Sequence, residues 1–203
     1  MKIFCIGRNY QSHADELKSP LPAEFITFMK PDSALLRNNA PFYIPEFSNE
    51  IHHEVELVIR INRLGKSINE KFAHRYYSEI GLGIDFTARD LQYDLIKKGL
   101  PWEKCKSFDN SAVVSKFVDI NRYSDINSLP FHLEINGEKR QQGNSRDMIF
   151  GFDRIIAELS KYFILKIGDL IFTGTPAGIG AVSIGDQLKG FIKDECFFDF
   201  PIK

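Results

Sequence analysis

Residues 52–59 read His52-His53-Glu54-Val55-Glu56-Leu57-Val58-Ile59 and alternate in the manner of a half-buried β-strand. On such a strand Glu54 and Glu56 point to one face, and the apolar residues between them pack on the other. The two carboxylates then lie about 7 Å apart, where their repulsion is about 0.6 kcal/mol in water and about 2.4 kcal/mol at an effective dielectric of about 20. A solvated face tolerates this pair, whereas a cleft requires a cation beside it. The stretch alone is compatible with both.

Strand signals dominate the rest of the chain. Apolar or β-branched runs end at turn residues, and Asn136-Gly137 favours a type I′ hairpin. The predicted strands cover residues 2–6, 55–61, 131–135, 138–142, 170–173 and 190–200. Two helices are predicted: one at 87–98, with Thr87 and Asp90 as a capping box and Gly99 as its stop, and one at 147–161. Without a βαβ rhythm, these elements indicate an α+β fold, mainly β and mostly antiparallel.

The composition is typical of one globular domain spanning residues 1–203. The 26 basic and 27 acidic residues give a formal charge of -1, which creates no field that would attract nucleic acid or an anionic membrane. No apolar run approaches the roughly 18 residues of a membrane helix, and we expect no signal peptide. Three separated cysteines without a CxxC pair argue against a disulfide framework and predict a cytoplasmic protein. The polar stretch 119–130 is expected to be a surface loop.

A third acidic residue stands at a junction that matters for chemistry. Asp85 follows a glycine-punctuated apolar segment and precedes the first predicted helix. It can be a turn or cap residue, or it can join Glu54 and Glu56 as a third hard oxygen ligand for Mg²⁺ or Mn²⁺. Arg89 and Gln92, three residues apart on that helix, share a face that can hold a ligand carboxylate or belong to ordinary surface.

Three further features are candidates for chemistry, each with a plain structural alternative. His13 and Glu16 are spaced so that a helical turn lets the carboxylate orient the imidazole as a general base. Lys106 is a surface lysine by default. The glycine-rich segment 173–180 lacks the P-loop and dinucleotide-binding spacings, so nucleotide binding is disfavoured while a small carboxylate remains possible.

Taken in order, these segments resemble the fumarylacetoacetate hydrolase family. The matching stretches are Gly7-Arg8-Asn9-Tyr10 with His13, Phe28-Met29-Lys30-Pro31, His53-Glu54-Val55-Glu56-Leu57, Asp85-Phe86-Thr87-Ala88-Arg89-Asp90-Leu91-Gln92, Lys106-Ser107-Phe108-Asp109, Asn136-Gly137-Glu138-Lys139-Arg140-Gln141, Arg146-Asp147-Met148-Ile149-Phe150 and the run from Gly168-Asp169 to Gly180. The stretch after Asp109 departs from the family, because Asn110-Ser111-Ala112-Val113 stands where many relatives have prolines.

The resemblance implies a fold like the C-terminal domain of that family, a mixed β-sandwich roll with two main helices, and a homodimer. By motif position, Glu54, Glu56 and Asp85 look like the Mg²⁺ or Mn²⁺ ligands. His13 and Glu16 resemble the dyad that activates water, and Lys106 resembles the ammonium group beside the reacting centre. The groups that resemble the lining of the substrate's carboxylate and keto oxygens are Arg8, Lys30, Arg89, Gln92, Gly174 and Thr175.

The main functional prediction is a Mg²⁺-dependent hydrolase that cleaves a C–C bond in acylpyruvates or fumarylpyruvate-type β-diketo acids, since the length and the His-to-Glu spacing are closest to the acylpyruvase branch. The alternatives on the same metal site are oxaloacetate decarboxylase and 2-hydroxyhepta-2,4-diene-1,7-dioate isomerase. A rival outside enzymes is a 2-oxo-acid binding protein. In each case the expected partner is a small 2-oxo acid rather than nucleic acid or a membrane.

Overall fold

The computed structural model of the chain describes residues 1–16 and 24–203. The described residues form fifteen strands: β1 Ile3–Gly7, β2 Ile26–Lys30, β3 Leu35–Leu36, β4 Ile51–His53, β5 Val55–Ile61, β6 Tyr77–Asp85, β7 Thr87–Ala88, β8 Ala112–Val114, β9 Val118–Asp119, β10 Pro130–Ile135, β11 Glu138–Asn144, β12 Leu170–Phe172, β13 Gly180–Ala181, β14 Gln187–Ile192 and β15 Glu195–Pro201. Their α-helices are α1 Gln11–Glu16, α2 Arg89–Lys98, α3 Glu103–Lys106 and α4 Phe152–Tyr162. Within these residues no helix is long and apolar enough to cross a membrane.

The strands assemble into three sheets. The largest has eight strands in the order β2-β1-β12-β5-β6-β8-β3, with β9 added beside β6, and the others are β11-β10-β14-β15 and β13-β4-β7. Among the described strands, pairing is parallel between β1 and β12 and between β3 and β8, and antiparallel elsewhere. The four-stranded sheet packs on β5 and β6, and α4 adds its apolar face to the same core. The predicted α+β, mainly β fold class is confirmed.

Strand β5 is buried on both faces, which decides between the two interpretations of its acidic pair. Val55, Leu57 and Ile59 are fully buried in the main core, while Val58 lies in a second apolar cluster on the opposite face. Glu54 and Glu56 are 4% and 2% exposed, so they do not lie on a solvated face. Two carboxylates in such a setting require positive charge nearby.

The register between β5 and β6 brings the acidic residues to one end of the large sheet. The two strands are antiparallel, and Val55 lies opposite Ile84 while Glu56 lies opposite Gly83. The backbone N–H of Asp85 donates to the carbonyl of Glu54 at 2.9 Å. Because the beginning of one strand lies beside the end of the next, residues far apart in sequence share one site.

Helix α2 begins two residues later than predicted, and the capping box is wrong. Thr87 pairs in a strand with His52, and its hydroxyl lies 2.6 Å from Lys106 Nζ instead of capping the helix. The Asp90 carboxylate accepts from the Ser48 hydroxyl at 2.6 Å, so it ties the helix to the preceding loop. The predicted stop at Gly99 is confirmed by its φ of 63°.

The remaining predicted elements differ mainly at their ends. The second helix begins at Phe152 rather than at 147, because Ser145–Asp147 forms a 3-10 turn. The Asn136-Gly137 hairpin is confirmed, with φ of 55° and 82° at its two central residues. The strand material predicted at 190–200 belongs to two antiparallel strands, β14 and β15. Two short 3-10 turns, Ile120–Arg122 and Ile126–Ser128, interrupt the predicted loop at 119–130.

Candidate active site

Three buried carboxylates converge at one end of the large sheet. Glu54 immediately precedes β5, Glu56 is its second residue, and Asp85 ends β6. One oxygen from each of the three carboxylates lies within 4.8 Å of the others. Opposite ligands of Mg²⁺ or Ca²⁺ stand about 4.2–5 Å apart, given bond lengths of about 2.1–2.5 Å, so this spacing suits a hard divalent cation.

Three cationic side chains balance the charge of the carboxylates. Lys106 Nζ donates to Glu54 Oε2 at 2.7 Å and to Asp85 Oδ2 at 2.8 Å. Arg89 Nη2 donates to the other oxygen of Glu54. Lys30 Nζ lies 2.7 Å from Asp85 Oδ1. All three cations are themselves buried, so each is held in place by the acids it neutralises.

The positively charged side chains lie closer to Glu54 than to Glu56, so the pKa values of the two glutamates shift in opposite directions. Burial raises the pKa of Glu54, but Lys106 and Arg89 beside it outweigh burial and hold that pKa well below its usual range. Burial raises the pKa of Glu56 well above its ordinary value, and the charges of Asp85 and Glu54 raise it further. The backbone N–H of Gly174 donates to Glu56 Oε2 at 2.7 Å, which lowers the pKa only in part.

This imbalance fits a site for a divalent metal. Glu56 is a buried carboxylate with less positive charge around it than its burial requires, and a dication beside it would relieve the repulsion from its two neighbours. The three ligands supply only oxygen, the donor type that Mg²⁺ and Mn²⁺ prefer. The residues that would hold the ion are Glu54, Glu56 and Asp85.

A cavity of about 270 Å³ opens in front of the carboxylates. Its polar lining consists of Arg8, His13, Glu54, Glu56, Asp85, Arg89, Gln92, Lys106 and Thr175. The rest of its lining consists of Gly7 and the apolar residues Ile6, Phe28, Tyr93, Ile96 and Trp102. The structure thus gathers nine of the twelve residues singled out from the sequence around one cavity.

The predicted dyad lies at the edge of this cavity. His13 is 5% exposed, and its Nδ1 lies 3.6 Å from Glu16 Oε2, which is too long for a hydrogen bond. The Glu16 carboxylate accepts from the backbone N–H of Gly178, which ties α1 to the glycine-rich segment. Burial lowers the pKa of His13, and Arg89 and Lys106 lower it further against the opposing charge of Glu54, so the imidazole is neutral at pH 7.

Two predicted substrate-lining groups lie elsewhere. Lys30 was expected to touch the substrate, but its ammonium lies behind Asp85 and donates to the Ser111 hydroxyl at 2.9 Å and to the Lys106 carbonyl. Gly174 was also expected to face substrate oxygens, yet its N–H is engaged by Glu56. Both residues therefore fix the carboxylates rather than line the cavity.

Lys106 lies beside the carboxylates, and its role as the ammonium group at the reacting centre stays a prediction. It lines the cavity, but its three N–H groups donate to Glu54, Asp85 and the Thr87 hydroxyl. Burial lowers the pKa of Lys106, and the charges of Asp85 and Glu54 outweigh burial and raise that pKa, so the group is an ammonium at pH 7. For Lys106 to donate to a substrate, one of these bonds has to break.

Comparison with known proteins assigns the chain to a family. The family model described as fumarylacetoacetate (FAA) hydrolase C-terminal matches residues 2–196. The chain belongs to the fumarylacetoacetate hydrolase family. The family-type fold predicted from the sequence is therefore confirmed together with the resemblance that led to it.

Relatives of this chain within the fumarylacetoacetate hydrolase family are named for different reactions. It is 42% identical over 201 residues to a mitochondrial oxaloacetate tautomerase of Rattus norvegicus, covering 99% of this chain and 91% of the relative. It is 40% identical over 189 residues to a mitochondrial oxaloacetate decarboxylase of Dictyostelium discoideum, covering 93% and 87%. A crystal structure of Pseudomonas aeruginosa fumarylpyruvate hydrolase with Mn²⁺ and pyruvate superposes with a TM-score of 0.94 at 31% identity, covering 100% of this chain and 89% of that one.

These relatives support an enzyme of the fumarylacetoacetate hydrolase family with a metal-binding acidic group. They favour the oxaloacetate alternative over the acylpyruvate hydrolase that is the main prediction from the sequence. The homodimer and the cytoplasmic location stay predictions, and the first two relatives are named as mitochondrial proteins.

Gln141 supports the site from behind, although no sequence pattern marks it as a site residue. Its Oε1 accepts from the Val55 N–H at 3.0 Å and from His53 Nδ1 at 2.8 Å. Its Nε2 donates to the Thr175 hydroxyl and to the Pro176 carbonyl, both at 2.9 Å. Gln141 therefore joins the strand that carries the glutamates to the glycine-rich segment. Its place in a stretch that resembles the family was the available signal.

We expect Gln141→Leu to lower the free energy of unfolding by about 3 kcal/mol or more, because it leaves several buried donors and acceptors without partners. For a chain of this length that corresponds to a fall in melting temperature of about 6–12 °C. The matched control is Gln142→Leu, at the exposed neighbouring position of the same strand. Equal melting temperatures for the two variants would contradict the bridging role.

Proposed function

We propose that this chain, as one domain over residues 1–203, is a divalent-metal-dependent enzyme that interconverts the keto and enol forms of oxaloacetate. The observation that carries the proposal is a buried imidazole, His13, lining the same cavity as three converging carboxylates. The identity of 42% to a named oxaloacetate tautomerase supports this choice of substrate. Mg²⁺ or Mn²⁺ is the proposed cofactor.

The chain's own residues bind the substrate and move the proton. A bound divalent cation would polarise the keto oxygen and so acidify the adjacent methylene group. Neutral His13 takes a proton from that methylene carbon, and the resulting imidazolium can return it to the enolate oxygen. Arg89 Nε is buried and has no hydrogen-bond partner in the described part of the chain, so it is a donor for a substrate carboxylate. Arg8, on the same cavity, adds a second positive charge.

Hydrolysis of acylpyruvates is the second candidate function. It is supported by the proximity of His13 and Glu16, since a carboxylate beside the imidazole favours the imidazolium that forms when water is deprotonated. The structural similarity to a fumarylpyruvate hydrolase supports it as well. Decarboxylation of oxaloacetate is a third reaction of the same enolate chemistry, and it needs no base at the position of His13.

The test compares three reactions of one protein preparation with and without Mg²⁺. Ultraviolet absorbance follows the enol of oxaloacetate, and a pyruvate assay follows decarboxylation and acetylpyruvate cleavage. We expect Mg²⁺-dependent tautomerisation to be the fastest of the three. A larger kcat/KM for acetylpyruvate would overturn the proposal in favour of the hydrolase. Light scattering on the same sample tests the proposed homodimer.

A further inference from the structure

One face of helix α2 lines the active-site cavity along its whole length. Arg89, Gln92, Tyr93 and Ile96 all contribute to that lining. Their spacing of zero, three, four and seven residues places them on a single stripe of an α-helix. The stripe is polar where it begins, beside Glu54, and apolar where it ends, roughly 10 Å further along at about 1.5 Å per residue.

Packing within the folded chain does not explain why the end of this stripe is apolar. Tyr93 and Ile96 are 56% and 45% exposed, although the other side of the helix already packs Leu91 and Leu95 against the core. Trp102 and Phe28 continue the same wall, with their rings packed edge to face at a centroid distance of 5.8 Å. We call Phe28, Tyr93, Ile96 and Trp102 the apolar wall.

The two halves of the cavity differ in what they can bind. The carboxylate half holds the charged groups, and Lys106 and Arg89 there are engaged with the acids. The apolar wall presents rings and a branched alkyl chain, and its polar groups, the Tyr93 hydroxyl and the Trp102 indole N–H, are both uncharged. A second carboxylate placed against this wall would lose hydration without gaining a cation. An alkyl or aryl group would gain by leaving water.

We propose that the apolar wall is a subsite for a hydrophobic substituent, so that the enzyme binds 2-oxo acids carrying an alkyl or aryl tail in addition to oxaloacetate. The proposal rests on the proposed function, because the carboxylate half must hold the 2-oxo acid group. The tail then runs along α2, away from the carboxylates and toward Trp102. Tyr93, Ile96 and Trp102 become the residues that set the preference for tail length.

The size of the effect follows from the area removed from water. A fully buried methylene strengthens binding by about fourfold, equivalent to about 0.8 kcal/mol. Because Tyr93 and Ile96 remain partly open to solvent, we expect about two- to fourfold per methylene until the tail passes the wall.

The experiment measures binding rather than turnover. Oxamate mimics a 2-oxo acid but does not react, and N-propyl, N-butyl and N-hexyl oxamates add tails of increasing length. Titration calorimetry in the presence of Mg²⁺ gives each affinity. Trp102 is the only tryptophan of the chain, so its fluorescence reports directly on the wall. We expect affinity to rise with tail length and the emission to shift to shorter wavelength only when a tail is present.

Variants identify the residues responsible. In Ile96→Ser the ratio of N-hexyl to unsubstituted oxamate affinity should fall at least about threefold, the contribution of one to two methylenes. The matched control Ile164→Ser, 49% exposed and outside the cavity, should keep the wild-type ratio. Oxamate binding without any gain from the tail overturns the subsite alone. Failure of oxamate itself to bind with Mg²⁺ overturns the 2-oxo acid site and the subsite together.

Discussion

Glu56→Gln is expected to raise the melting temperature of the EDTA-treated protein while abolishing its response to Mg²⁺. Burial and the charges of Asp85 and Glu54 raise the pKa of this carboxyl. A raised carboxyl pKa costs stability as the pH rises above the unfolded value of about 4.3, so glutamine removes a penalty present at pH 7. Each kcal/mol recovered adds about 2–4 °C. Loss of a direct ligand should weaken Mg²⁺ binding more than about 100-fold, beyond the effect of outer groups.

Glu54→Gln provides the matched comparison. This substitution should also abolish Mg²⁺-dependent turnover. The melting temperature of the Glu54→Gln protein should fall, however, because Arg89 and Lys106 lose their buried partner. Breaking a buried ion pair costs about 3–5 kcal/mol. Differential scanning calorimetry at pH 7 and calorimetric Mg²⁺ titration measure both effects. Shifts of the same sign in the two variants would contradict the charge distribution described for this site.

His13→Gln is expected to lower kcat for oxaloacetate tautomerisation by about 10²–10⁴-fold, the usual contribution of a positioned base. Decarboxylation should fall much less, because it does not require proton removal at that position. Burial lowers the pKa of His13 from 6.5, so the wild-type rate should hold as the pH falls to 6.5 and decline only below it. That decline should be absent from the variant.

His52→Gln is the control for this substitution. His52 is partly buried and also lies beside a glutamate, with Nε2 2.8 Å from Glu50 Oε1, but it does not line the cavity. The tautomerisation rate of His52→Gln should stay within about threefold of wild type, because His52 does not line the cavity. An equal loss of tautomerase and decarboxylase activity in His13→Gln would show that His13 is not the base.

The sequence was sufficient for those parts of the fold that depend on local pattern. Alternation located β5, and the Asn136-Gly137 pair located the hairpin, since both signals lie within a few residues. Strand β6 was not recognised because Gly83 interrupts its apolar run. In the structure a Cβ at Gly83 would lie 2.6 Å from both a Phe172 ring carbon and the Val113 carbonyl oxygen. The glycine is required by packing between strands, which no local pattern reveals.

The sequence was sufficient to predict most residues of the candidate site, but not the contacts that these residues make with one another. Resemblance brought the carboxylates, the dyad and Lys106 together as a set. It did not reveal that Lys30 lies behind Asp85 or that Lys106 donates all its protons to the site. Gln141 acts through partners up to 88 residues away. Such contacts depend on how segments distant in sequence pack together, and local sequence patterns carry no information about that packing.

Lys106 gives the site of three carboxylates a positive charge from within the chain. Its ammonium donates to Glu54 and Asp85, two of the three residues that would hold a dication, so the ammonium and the ion would share the same negative charge. Because Lys106 is fixed at the end of α3, its charge stays beside the carboxylates whether or not a metal is bound. We therefore expect the metal-free protein to remain folded, because the ammonium still offsets part of the charge of these buried carboxylates.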